Sequence, residues 1–249
     1  MTDTPVAFSI VVPCYNEAEN LPALAATYRS AWREFPAELI LVDNGSTDET
    51  PRVLDEFLHR PEFQFIRTVS VAKNRGYGYG VMIGLRAAKG EILGISHADM
   101  QCPAADLFRA YDKLREAGSA AALVKGRRAR RPLSATVLTA GMTMIASVVL
   151  WNRLVDINAQ PKVFPKSLLA HLEHPPDGFE LDLYLLYCAS KRGFSIVSIP
   201  VVFGQRAHGT SKWAYSLAAR WRQIAKTLRY IFALRFRRWE TQSKQDDQS

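Results

Sequence analysis

The chain has 249 residues, 48% hydrophobic and 22% charged, the balance of a globular protein with a sizeable core in one large domain or a domain with an appendage. The formal net charge of +8 favours anionic partners: phosphates, nucleic acid or an acidic membrane surface. The three cysteines, Cys14, Cys102 and Cys188, make neither a CxxC pair nor a disulfide framework, so a reducing compartment is expected. The amino terminus lacks the basic and apolar regions of a signal peptide, and no uncharged apolar run reaches the length of a membrane span.

Phe8 to Pro13 is an apolar run stopped by proline, a strand, and Asn16 to Trp32 has helical spacing. Leu39 to Val42 is a second buried strand. The turn residues Asp43 to Asp48 follow, with Ser46, Thr47 or Asp48 able to cap a helix that runs to about His59. Phe63 to Val71 predicts a third strand, Asn74 to Gly80 a glycine-rich loop, and Val81 to Ala88 a helix. Glu91 to Ser96 is the fourth strand and Ala104 to Glu116 another helix. Ala120 to Val124 is the fifth strand, breaking into Lys125-Gly126-Arg127-Arg128. Leu133 to Leu154 is a long apolar helix or helix pair. Pro161 to Leu172 reads as a short strand and helix, Phe179 to Ser190 as a helix, and Ser195 to Val202 as a strand broken by Pro200. Arg206 to Trp213 is a polar loop, and Trp213 to Trp239 a helix rich in tryptophan and arginine before a polar tail. Strands that alternate with helices and are continuously apolar predict an α/β fold with a mostly parallel sheet covered on both faces.

The polar residues gather after the strands, where ligands bind in open α/β sheets. Pro13-Cys14-Tyr15-Asn16-Glu17 closes the first strand. Tyr15 offers a flat face for a base and Glu17 an acceptor for ring N–H groups, although an ordinary strand-to-helix turn explains these residues too. Asp43 at the second strand tip can accept from a base or ribose, or simply close an Asx turn. In Asn74-Arg75-Gly76-Tyr77-Gly78-Tyr79-Gly80 the glycines let backbone approach a ligand. A dinucleotide fingerprint is rejected there, because the loop follows a third strand and carries two tyrosines. His97, Asp99 and Gln101, spaced by two, share one side of an extended chain. Imidazole, carboxylate and amide oxygen can hold a divalent cation, and a polar loop capping the next helix is an equal reading. Lys125, Arg127, Arg128, Arg206 and Lys212 form a distributed cationic set suited to phosphate oxygens.

Taken together, Pro13-x-Tyr15-Asn16-Glu17, Asp43-Asn44-Gly45-Ser46-x-Asp48, Asn74-x-Gly76 and Ala98-Asp99-x-Gln101 resemble glycosyltransferase family 2. Gly126-Arg127-Arg128, Asn158-Ala159-Gln160-Pro161-Lys162 and Arg206-x-x-Gly209-x-Ser211-Lys212 make the chain most similar to the polyprenyl-phosphate branch typified by dolichol-phosphate mannose synthase. The resemblance implies a GT-A fold over residues 6–213, followed by a basic amphipathic helix over 214–240 and a disordered tail. It implies that Pro13, Tyr15, Glu17 and Asp43 hold base and ribose. Asn74, Gly76 and Ala98 belong to the same donor motifs. Asp99 and Gln101 would bind Mn²⁺ or Mg²⁺, and Arg128, Arg206 and Lys212 would grip phosphates. His97 stands where the family usually has an acid and is a third candidate ligand, an imidazole suiting Mn²⁺ better than Mg²⁺. Asn44 replaces the second aspartate of the usual pair.

The expected activity is metal-dependent, inverting transfer of a sugar from a nucleotide-diphosphate sugar to a polyprenyl phosphate. A saccharide acceptor, as in cell-surface polysaccharide assembly, is the alternative; it would require a base, for which Asp182 and Glu180 are the nearest candidates. Charge placed at a helix N-terminus explains those two acids equally well. The stretch 133–154 and the final helix have apolar faces with basic or aromatic edges, which predicts peripheral attachment to the cytoplasmic leaflet. Nucleic-acid binding is not expected, since no recognition motif accompanies the charge. A non-catalytic nucleotide-sugar binder remains open because of His97 and Asn44.

Overall fold

The computed structural model describes residues 5–118, 121–129, 133–204 and 217–237. Seven strands form one sheet in the order β3-β2-β1-β4-β6-β5-β7. They are β1 (Phe8–Cys14), β2 (Ala37–Asp43), β3 (Ile66–Ser70), β4 (Ile92–Ile95), β5 (Ala122–Arg128), β6 (Lys162–Pro165) and β7 (Ser195–Val201). All run the same way except β6, which lies antiparallel between β4 and β5. The α/β, mostly parallel expectation holds.

Because strand side chains alternate, each strand feeds two cores. Phe8, Ile10 and Val12 of β1 face one layer with Leu39 and Leu41 of β2. That layer is roofed by α1 (Leu21–Ala31), α2 (Thr50–Leu58) and α4 (Ala104–Glu116). Val11, Ile40 and Val42 face the other layer, under α3 (Tyr77–Ala87), α5 (Leu133–Leu150), α6 (Leu181–Lys191) and α7 (Leu217–Arg235). The helices bury the stripe their spacing predicts: Leu21, Leu24, Ala25 and Tyr28 in α1, Thr50, Val53, Leu54 and Phe57 in α2. α7 packs back on α5 and contributes Ile231 and Leu234 to the core.

Four of the boundaries that differ from expectation have a local reason. The first helix begins at Leu21 because Asn16 takes a positive φ of 55° and the Glu17 carbonyl closes a turn on Asn20 and Leu21. The third strand starts at Ile66, since Pro61–Phe63 is a single 3₁₀ turn. The glycine-rich loop is shorter, and Gly78 and Gly80 are already helical and buried. The fifth strand does not break at Lys125: its pairing with β7 runs on to Arg128 opposite Val201. Pro200 is tolerated because β7 is an edge strand.

Candidate active site at the carboxyl ends of the parallel strands

The ends of β1 and β2 are in register, Cys14 opposite Asp43, and the segments that leave them are tied together. The Asn16 N–H donates to Ser46 Oγ at 3.1 Å, and the Thr47 N–H donates to Asn16 Oδ1 at 2.9 Å. The Glu17 N–H donates to Thr50 Oγ1 at 2.9 Å. Asp43, buried, accepts the Ser46 N–H on Oδ1 at 2.9 Å, the Asx turn anticipated for it. Asp48 accepts N–H groups from Ala18 and Thr50. Against the upward push of its partial burial, the Thr50 bonds and the Ala18 N–H hold its carboxyl below the usual range. Glu17 Oε2 accepts from Asn20 Nδ2 at 2.6 Å, and Pro13 and Tyr15 are half-buried.

Asn44 shows why an amide serves where an acid was expected. It is buried, and its Nδ2 donates to the Gly76 carbonyl at 2.9 Å. A carboxylate there would face that carbonyl with no proton to offer. Gly80 packs so close that a Cβ would lie 2.8 Å from the Asn44 side chain. Asn74 Oδ1 in turn accepts the Gly76 N–H at 2.8 Å. Gly76 has a φ of +130°, and a Cβ on it would lie 2.3 Å from the Asp177 carbonyl oxygen, so the loop before α3 is pressed onto the loop before α6. The Arg75–Asp177 ion pair (2.9 Å) and the Tyr79 N–H bond to the Asp177 carbonyl (3.1 Å) hold the two loops together.

At the β4 end, Ala98 and Asp99 are buried and Asp99 Oδ1 accepts the Gln101 N–H at 3.2 Å. Gln101 Nε2 donates to the Gly204 carbonyl at 3.3 Å, which leaves its amide oxygen for another partner. The His97 ring stacks on Tyr77, centroids 5.2 Å apart and planes 26° from parallel. Tyr77 stacks on Phe179 at 5.4 Å and 16°. Among the described residues no three His, Cys, Asp or Glu side chains gather to hold a metal alone. Asp99, Gln101 and His97 supply one carboxylate, one amide oxygen and one imidazole, a partial set of the kind a Mg²⁺-like cation completes with substrate phosphates and water.

The expected base is differently placed. Asp182 is buried, and its Oδ1 accepts from Lys162 Nζ at 2.8 Å and Gln160 Nε2 at 3.2 Å. Glu180 is also buried, and α7 covers it through Gln223 Nε2 (3.1 Å) and Lys226 Nζ (3.4 Å). The Arg128 guanidinium donates to Asp156 Oδ1 from Nε at 2.9 Å and also from Nη2, and the Arg128 backbone N–H donates to Oδ2 at 2.8 Å, with Phe203 under the guanidinium. Burial raises the Asp156 carboxyl, but the Arg128 bonds outweigh that and hold it below the usual range. Arg127 is exposed, whereas Lys125, assigned by its sequence to the same cationic face, is buried, its Nζ donating to the Gly126 carbonyl at 2.7 Å. Arg206 and Lys212 lie outside the described residues.

Three residues of this region carried no role in the sequence reading. In the sequence Tyr77 reads as an obstacle to a pyrophosphate, and Gln160 and Lys162 enter only through the motif over residues 158–162. The available signal was a glutamine and a lysine flanking a proline next to the apolar strand Val163-Phe164.

The model of the family described as "Glycosyl transferase family 2" matches residues 9–153. The chain belongs to that family. It is 26% identical over 219 residues to an undecaprenyl-phosphate 4-deoxy-4-formamido-L-arabinose transferase of Pectobacterium carotovorum, covering 86% of this chain and 65% of the relative. It is 27% identical over 241 residues to a dolichol-phosphate mannosyltransferase of Pyrococcus furiosus, covering 93% and 64%. The chain thus spans slightly under two-thirds of the length of these relatives. The fold matches glucosyl-3-phosphoglycerate synthase from Mycobacterium tuberculosis, solved with Mn²⁺, uridine diphosphate and glucosyl-3-phosphoglycerate, at a TM-score of 0.70 and 23% identity. That match covers 92% of this chain and 80% of the other. The GT-A architecture expected from the motifs is the one observed.

Proposed function

We propose that the chain transfers a sugar, with inversion, from a nucleoside-diphosphate donor to the phosphate of a polyprenyl lipid, with Mn²⁺ or Mg²⁺ as cofactor. The observation that carries this reading is the convergence of the β1, β2 and β4 ends, with Asp43 buried at the end of β2 and Asp99 buried beyond the end of β4, the two strands that flank β1. Both curated relatives named above carry polyprenyl-phosphate transferase names, and the M. tuberculosis neighbour holds Mn²⁺ with a nucleoside diphosphate. In this reading Tyr15 stacks on the base, and Pro13, Glu17 and Asp43 hold base and ribose. Asp99, Gln101 and His97 hold the cation. A divalent cation there neutralises charge on the departing nucleoside diphosphate. Asn74, Gly76 and Ala98 belong to the donor motifs, and Arg128, Arg206 and Lys212 take phosphate oxygens.

The state of Asp182 favours a lipid phosphate over a sugar hydroxyl. A hydroxyl acceptor requires a base within hydrogen-bond reach, and Asp182 is committed to Lys162 and Gln160 inside the core. A phosphate oxygen is already anionic and requires none. The surface of α5 and α7 suits such an acceptor. Met144, Ile145, Val148 and Trp151 are exposed at helical spacing, Trp221 and Phe232 are exposed on α7 with Phe236 just beyond it, and Arg235 lies 5.9 Å over the Trp151 ring. No described helix is long and apolar enough to cross a membrane. Apolar side chains rimmed by arginines are the composition of a helix lying in a headgroup layer, and we place that contact on the cytoplasmic face.

The test is a panel of radiolabelled nucleotide sugars with Mn²⁺ or Mg²⁺ and undecaprenyl or dolichyl phosphate. Label that partitions into organic solvent and is released by mild acid is the expected product, and Asp99→Asn should lower its formation by at least about a hundredfold. Label in a water-soluble saccharide would establish the alternative acceptor instead. No turnover with any donor would refute the enzyme reading in favour of a binder.

A further inference from the structure

We propose that Gln160 is a positioning residue that fixes the Tyr77 ring, and through it the His97 imidazole, at the β4 strand end. Gln160 is fully buried and donates to two acceptors from one Nε2: Tyr77 Oη at 3.2 Å and Asp182 Oδ1 at 3.2 Å. The amide cannot be turned round, because its oxygen would then face the Asp182 carboxylate. Asp182 is itself held by Lys162, which is fully buried and donates a further bond to the Ala159 carbonyl at 3.2 Å. The backbone of Gln160 is equally constrained. The Gly126 N–H donates to the Pro161 carbonyl at 2.8 Å, and a Cβ on Gly126 would lie 2.1 Å from the Gln160 carbonyl oxygen.

Gln160 therefore links two parts of the fold that are distant in sequence. One is the β5–β6–α6 block, which anchors it. The other is the first residue of α3, which brings Tyr77 over the β4 end. His97 and Phe179 both stack on Tyr77, which restrains the ring across its plane, and the Gln160 bond fixes its hydroxyl end. Gln160 Oε1 has no hydrogen-bond partner among the described residues. A leucine would fill similar space without leaving a buried acceptor unpaired, which costs stability. What only the amide supplies is the pair of donor bonds that aligns Tyr77 with Asp182. The same arrangement makes Asp182 an orienting acid rather than a base.

This inference rests on the reading of the β4 end as the donor site, and the experiment separates the two. The chain has five histidines, and the His97 resonances are identified by their loss in His97→Gln. In the wild type, stacking on Tyr77 shifts the His97 carbon-bound ring protons upfield of those of an exposed histidine. Gln160→Leu should return them toward the exposed position. It should also weaken binding of uridine or guanosine diphosphate with Mn²⁺, measured by calorimetry, by about fivefold, the worth of one hydrogen bond. Tyr77→Phe, which removes only the hydroxyl, should act in the same direction, and it decides the matter if Gln160→Leu does not fold. Unchanged His97 shifts and unchanged nucleotide affinity in the folded variants would overturn the proposal. A collapsed His97 shift in a protein that binds neither nucleotide in wild-type form would uphold the positioning role and refute the donor-site reading.

Discussion

Replacing Lys125 by methionine probes the electrostatics of the sheet edge behind the site. Lys125 is 1% exposed, lies directly opposite Lys162 in the β5–β6 register, and donates from its ammonium to the carbonyl of Gly126. Burial, then the positive charges of Lys162 and Arg128, push its pKa down from 10.5 to about 7, with Asp156 and Asp182 opposing. Below pH 7 the folded and unfolded chains both hold the proton, and the penalty for burying it is constant. Between about 7 and 10.5 the unfolded chain keeps a proton that the folded protein has released, so stability rises with pH across that window. Integrated with those two values, the penalty is about 5 kcal/mol at pH 6 and about 2 kcal/mol at pH 9. The wild type therefore gains about 3 kcal/mol from this group between the two pH values. At 2–4 °C per kcal/mol for a chain of this size, that is about 6–12 °C in melting temperature. Methionine fills similar volume without the charge, so Lys125→Met should melt higher than wild type at pH 6, with the advantage shrinking toward pH 9. Thermal melts of both proteins across pH 6–9 measure this, and the difference between the curves cancels the titrating groups that do not interact with Lys125. Parallel curves, or a variant less stable at every pH, would refute the reasoning.

Gly76→Ala should be costly on two counts. Its φ of +130° is strained for any side chain, and its Cβ would meet the Asp177 carbonyl oxygen at 2.3 Å. We expect a loss of about 1–3 kcal/mol and weaker nucleoside-diphosphate binding, read by melting and calorimetry; a variant as stable as wild type would show that the two loops part easily. Val148→Ser with Trp151→Ser should lower sedimentation with anionic vesicles by at least about tenfold, since each side chain withdrawn from water is worth about 1.5–3 kcal/mol. Vesicle binding unchanged by that pair would remove the α5 face from the membrane contact.

The strands and the polar clusters that follow them were legible because both are local. A continuously apolar run of four to seven residues can only be a buried strand or a short helix segment, and the turn residues after it settle which. That sufficed to bring Tyr15, Asp43, Gly76 and Asp99 to one edge. Helix boundaries were legible to within a few residues, failing at Asn16 and Tyr77, where a positive φ or a glycine N-cap placed the start.

The charges of the second half of the chain could not be assigned in the same way. Lys125 and Arg128 are three residues apart and look alike in sequence, yet one is buried beside Lys162 and the other forks onto Asp156. Asp182 looks like an available base until Lys162, twenty residues earlier, is placed against it. These outcomes depend on β6 entering antiparallel between β4 and β5, a long-range pairing that no local periodicity encodes. Thus the succession of strands along the chain and the residue types at their tips were determined by sequence alone. Which acid meets which base, and which rings stack over the β4 end, was decided only when distant segments packed, because the partner of a charge is set by contact in space.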